Sequence, residues 1–159
     1  MHFRTQHTYD APPERVYAML TDPAFLDAML AEAPVSDRRV SVDGGHTVIT
    51  AGAAAPHQLA RFTGDHLQVT LEVNWTSATP DGRHTGPISV SVHKLPAKLA
   101  GTATIAPAPA GSTVTYDGEF SIGIPIVGKQ LEQRAAPYLT QVLDAQEAAG
   151  QAWLAAHPA

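Results

Sequence analysis

Eight histidines, at positions 2, 7, 46, 57, 66, 84, 93 and 157, are the side chains here best suited to metal binding or proton transfer. A helical zinc site places two histidines four residues apart, as in H-E-x-x-H, and no pair in this chain has that spacing. His46, His57, His66 and His84 fall in or beside stretches that read as turns, so solvated imidazoles are expected there. His7 differs, because it shares the inward side of an alternating segment with Tyr9, where a buried polar contact is expected. The chain has no cysteine, which removes thiolate nucleophiles, thiolate metal sites and disulfides together. No G-x-S-x-G nucleophile elbow occurs. Gly44-Gly45 belongs to a hairpin turn and Gly123 to a strand-helix junction, so neither forms a phosphate-cradling loop. Asp117 and Glu119 share one strand face, but it is the face opposite Tyr116 and Phe120 and should be wet. The expectation is no metal, no cofactor and no assigned catalytic group. If an inward acid or base exists, His7, Tyr9, Arg134 and Tyr138 are the candidates.

The elements that position these side chains follow from periodicity. Residues 2–10 alternate, with Phe3, Thr5, His7 and Tyr9 on one side, which predicts a strand. Pro12-Pro13 then opens a short helix, since proline fixes φ and its missing N–H has no partner in a first turn. Glu14 suits that turn electrostatically. Asp22-Pro23 repeats the device as N-cap and first helical residue. Val16, Met19, Leu20, Phe25, Leu26, Met29 and Leu30 keep helical spacing through both pieces. Strands are predicted over 35–42 and 47–51 around Asp43-Gly44-Gly45, and over 67–75, 88–92, 99–105 and 114–120. From about Val127 to about Ala156 the apolar spacing is helical. Pro137 lies inside that run, where it removes the bond to the Gln133 carbonyl and predicts a bend or local break between Gln133 and Pro137.

With 159 residues, one domain over 1–156 is expected, with 157–159 a flexible end. The 44% apolar and 16% charged content fits a globular chain with one sizeable core. A net charge of −5 argues against nucleic acid. The basic residues are scattered along the chain, with Arg38-Arg39 the sole adjacent pair, which also argues against an anionic membrane surface. The opening MHFRTQHTYD has no apolar signal core, and no stretch approaches the ~18 apolar residues of a spanning helix. A cytoplasmic location is therefore expected.

The stretch Tyr9-Asp10-Ala11-Pro12-Pro13-Glu14-Arg15-Val16-Tyr17, with Leu20-Thr21-Asp22-Pro23, resembles the START-related SRPBCC superfamily, the helix-grip fold shared with the birch pollen allergen. The strand from Leu67 to Trp75 and the closing Phe120-Ser121-Ile122-Gly123-Ile124-Pro125 carry the same resemblance. More narrowly, Ile124-Pro125-Ile126-Val127-Gly128-Lys129 at the start of the last helix is similar to an actinobacterial subfamily whose function is uncharacterised. The resemblance implies an α+β fold: a curved antiparallel sheet of about seven strands wrapped around one long C-terminal helix, with two short helices after the first strand. It also implies a cavity between sheet and helix. On this register the expected lining is Phe62 near the mouth, then Trp75, Tyr116, Phe120, Leu131, Arg134, Tyr138 and Val142. The segment from Ala55 to Phe62 reads as a short helical insert, and as a lid it would turn Leu59 and Phe62 towards the ligand space. Binding of an apolar or lipid-like small molecule is the leading expectation. A cyclase- or aromatase-type enzyme acting on a polyketide-like substrate is the alternative, and an interaction domain without an open cavity is a third.

Overall fold

A computed structural model describes residues 1–55 and 57–158, apart from the side chain of Gln58. Strand β1 (His2–Tyr9) leads into helices α1 (Pro13–Leu20) and α2 (Pro23–Ala31). Strands β2 (Val35–Asp43) and β3 (His46–Ala54), helix α3 (His57–Thr63) and strand β4 (His66–Asn74) follow. Strands β5 (His84–Val92), β6 (Leu95–Ala108) and β7 (Gly111–Ile122) complete the sheet, and helix α4 (Gly128–Ala156) closes the chain. The seven strands form one sheet in the order β1-β7-β6-β5-β4-β3-β2, antiparallel throughout. This is the helix-grip α+β arrangement. Pro56, part of the expected insert, lies outside the described residues; α3 begins at His57.

The opening proline device works locally as its chemistry requires. Pro12 is extended, with φ −67° and ψ 159°, and Pro13 is the first helical residue of α1. The Asp22 side chain accepts from the Ala24 N–H at 2.9 Å and caps α2, with Pro23 next. Strands β1 and β2 are the two edges of the sheet, so α1 and α2 connect one edge to the other. Helix α1 packs on β6 and β7 while α2 packs on β2, and Val16, Met19, Leu20, Phe25 and Leu26 are buried. The helical corner closes one end of the curled sheet.

The two longest strands approach each other closely at a pair of glycines. Gly101 and Gly118 face each other across β6 and β7. A Cβ on Gly101 would stand 2.1 Å from the Asp117 carbonyl oxygen, and one on Gly118 2.5 Å from that of Ala100. Only glycine permits this close approach of the two longest strands.

Helix α4 stays helical through Pro137, so of the expected bend or local break, the break does not occur. Pro137 is exposed, on the solvent side of the helix. Its inward stripe runs through Leu131, Ala135, Leu139, Leu143, Gln146, Gly150 and Trp153, of which Leu131, Leu143 and Gly150 are buried. Tyr138 and Val142 are 47% and 67% exposed, and Arg134 is exposed too.

Candidate functional site

The register of the sheet sets rows of side chains on its concave face. One row crosses Val40, Ile49, Leu71, Val90, Leu99 and Phe120; the next crosses Ala51, Val69, Val92 and the start of β6. Towards the α1 end, Val73, Ile88, Ala103, Ile105 and Val114 are buried. Val69, Leu71, Val90 and Val92, in the middle of the same face, are only partly buried. Helix α4 packs on β1 and β7 rather than on β4 and β5, which accounts for the difference. Phe62 of α3 and Ala135 of α4 are partly buried against Leu59, Leu95, Ala97, Ile122 and Leu131 at one end of this strip, while Leu139 packs on the main core.

A polar group interrupts the apolar interior at its other end. His7 is 1% exposed, and neither ring nitrogen has a hydrogen-bond partner among the described residues. Its ring meets Tyr116 edge-on at 5.7 Å and Tyr9 at 6.4 Å. The Tyr9 hydroxyl also has no partner among the described residues, whereas Tyr116 Oη donates to Gln146 Oε1 at 2.9 Å. Burial lowers the His7 pKa, against the opposing pull of Glu147 and Asp144, so the imidazole is held neutral. Burial also pushes the Tyr9 and Tyr116 hydroxyls above the ordinary tyrosine range. A neutral imidazole flanked by two protonated phenols can donate or accept hydrogen bonds towards an uncharged polar group.

Several expected lining residues do face inward: Trp75 and Tyr116 are buried on the concave face, Phe120 lies in the partly buried row, and Leu131 and Phe62 join the cluster beneath α3. Arg134, Tyr138 and Val142 do not. Tyr138 lies one residue from Leu139 and Val142 one from Leu143, a rotation of about 100° that carries both to solvent. Arg134 is displaced from Ala135 in the same way. His84 is a second correction, because it is buried rather than solvated. Its ring stacks on Tyr17 at 4.0 Å, and its Nδ1–H donates to the Thr76 carbonyl at 3.1 Å. Gln146 was visible only as a member of the helical stripe; nothing in its spacing marked it as the partner of Tyr116. Among the described residues, no three His, Asp or Glu side chains converge as a metal site would require. No helix among them is long and apolar enough to cross a membrane. An open surface groove of about 450 Å³ lies at the junction of β7 and α4, lined by Ile122, Ile124, Ile126, Gly128, Lys129 and Glu132.

An uncharacterised protein of Mycobacterium tuberculosis is 28% identical over 162 residues, covering 92% of this chain and 92% of that protein. A Thermus thermophilus protein of known structure is 22% identical, with a TM-score of 0.66 over 99% of this chain and 100% of its own. The STAR-related lipid transfer protein of Xanthomonas axonopodis is 17% identical, with a TM-score of 0.63 over 96% of this chain and 85% of that one. These likenesses establish the START-related helix-grip fold. Residues 4–154 match the family model described as protein of unknown function (DUF2505), and by that match the chain belongs to the DUF2505 family.

Proposed function

We propose that the chain acts as a single START-like domain over residues 1–156 and binds an apolar, lipid-like small molecule between the concave sheet and α4. The observation that carries this reading is the partly buried strip Val69, Leu71, Val90 and Val92. Apolar side chains in mid-sheet are normally sealed by the layer that packs on them, and here α4 leaves them open to an occupant. Phe62, Phe120, Leu131 and Leu139 flank the ligand, while Trp75 supports the wall behind it. The name of the Xanthomonas relative, a lipid transfer protein, agrees with this class of ligand.

A second reading draws on His7. A neutral, unpartnered imidazole is the form a general base requires, so a cyclase-type reaction on a polyketide-like ligand would centre there.

Native mass spectrometry of freshly purified protein tests the first reading, with displacement of a fluorescent apolar probe as its second arm. A co-purified small molecule and saturable probe uptake are expected. Leu71→Trp should fill the strip and abolish uptake, whereas Tyr138→Ala, on the solvent face, should leave uptake unchanged. A folded protein that carries no adduct and takes up no probe would overturn the reading. Turnover of a captured ligand that is lost in His7→Phe would favour the enzyme.

A further inference from the structure

The geometry points to a docking surface for an anionic lipid bilayer at the end of the molecule formed by the β5–β6 hairpin, the β7–α4 turn and α3. Three independent features converge there. Ile126 is fully exposed and adopts φ +73°, a left-handed conformation that a β-branched residue rarely takes. The turn holding it is ordered, since the Val127 N–H bonds to the Pro125 carbonyl and the Gly128 N–H to the Ile124 carbonyl, both at 2.8 Å. The backbone therefore holds an apolar side chain rigidly in water, above a groove lined by Ile122 and Ile124. Within the monomer this arrangement stabilises nothing.

Charge is the second feature. The chain's three lysines, Lys94, Lys98 and Lys129, all lie at this end and are all exposed. Lys94 sits at the tip of the β5–β6 hairpin, with φ +65°, and Lys98 pairs in register with Ser121 near the end of β7. Lys129 lines the groove beside Ile126, and exposed Arg61 lies on α3, which packs against α4. The Gly123 N–H bonds to the Pro96 carbonyl at 2.7 Å and ties the hairpin to the turn. Among the described residues the acids nearby are Asp65 and Glu132, and Glu132, which lines the groove, is buried 3.8 Å from the Met1 ammonium; Glu119, farther along β7, lies 3.7 Å from the same ammonium. A chain of net charge −5 thus presents a cationic ring around an apolar tip. Position is the third feature: α3 and the cluster of Leu59, Leu95, Ile122 and Leu131 close the adjacent end of the interior.

The partner is a bilayer rather than a protein groove because a single projecting apolar residue ringed by cations complements a flat anionic surface with an apolar interior. The docking does not depend on the ligand reading, and its test contains no ligand.

The experiment is co-flotation of the full chain with phosphatidylcholine vesicles, with and without phosphatidylglycerol. Binding is expected only to the anionic vesicles and should weaken sharply as salt is raised. Ile126→Asp should reduce partitioning by about tenfold, from the lost apolar transfer alone. Each of Lys94→Glu, Lys98→Glu and Lys129→Glu should reduce it by about fivefold or more. Ile126→Gly is the decisive variant: it relieves the left-handed strain, so it should melt higher than the parent while binding vesicles about tenfold less. Equal binding to neutral and anionic vesicles, no binding to either, or full binding by Ile126→Gly would overturn the proposal.

Discussion

Tyr116 Oη donates to Gln146 Oε1 at 2.9 Å, joining β7 to α4 across the interior. The tyrosine is buried while Gln146 is only partly so, which makes the two truncations unequal. Gln146→Leu leaves a buried hydroxyl unsatisfied and should cost about 1–3 kcal/mol. Tyr116→Phe leaves the amide able to reach water and should cost about 1 kcal/mol or less. Urea unfolding of the two single variants and the double variant checks this. The double variant should be more stable than the sum of the single losses implies.

The pH dependence of stability should report His7. Its pKa is lowered in the folded state, so below about pH 6.5 the unfolded chain binds more protons than the native one. The contribution of His7 is thus fully present above that pH and declines as pH falls towards the folded value, by at most about 1.4 kcal/mol per pH unit. Melting temperature against pH should fall less steeply on the acid side in His7→Phe than in the parent. Identical slopes in the two proteins would show that His7 is already solvated or partnered in solution.

Gly150 faces the interior from α4, where a Cβ would lie 2.6 Å from Tyr9 Cε1 and 3.1 Å from Met19 Cε. Helix propensity alone favours Gly150→Ala by about 1 kcal/mol. The Tyr9 ring is 2% exposed and has nowhere to move, so overpacking of about 1–3 kcal/mol should win. Net destabilisation, read as a lower urea midpoint, is the expected result.

Pro137 offers the opposite case. It is exposed in the middle of an unbroken helix, so its replacement loses no packing. Pro137→Ala should restore the bond to the Gln133 carbonyl and stabilise the protein by up to about 3 kcal/mol. A melting temperature unchanged from the parent would mean that α4 is already relaxed around the proline.

What the sequence by itself determined are the features controlled within a few residues. Pro12-Pro13 and Asp22-Pro23 start α1 and α2 through fixed φ and a side-chain cap, and neither depends on distant partners. Alternation in β4 and the Asp43-Gly44-Gly45 turn set strand and hairpin for the same local reason. The order of elements, together with the opening and closing motifs, was enough for the helix-grip fold. The inward side of α4 was misassigned to Tyr138 and Val142, because Leu131 continues equally well through them or through Ala135, Leu139 and Leu143. Packing against β1, β7 and α2 settled it, one residue and about 100° away from the heptad path. His84 reads as a turn residue and becomes buried only when α1 brings Tyr17 over its ring. Lys94, Lys98 and Lys129 look scattered along the chain, and antiparallel pairing of β5, β6 and β7 gathers them at one end. Burial and net local charge are sums over neighbours distant in the chain, and only the tertiary structure selects those neighbours.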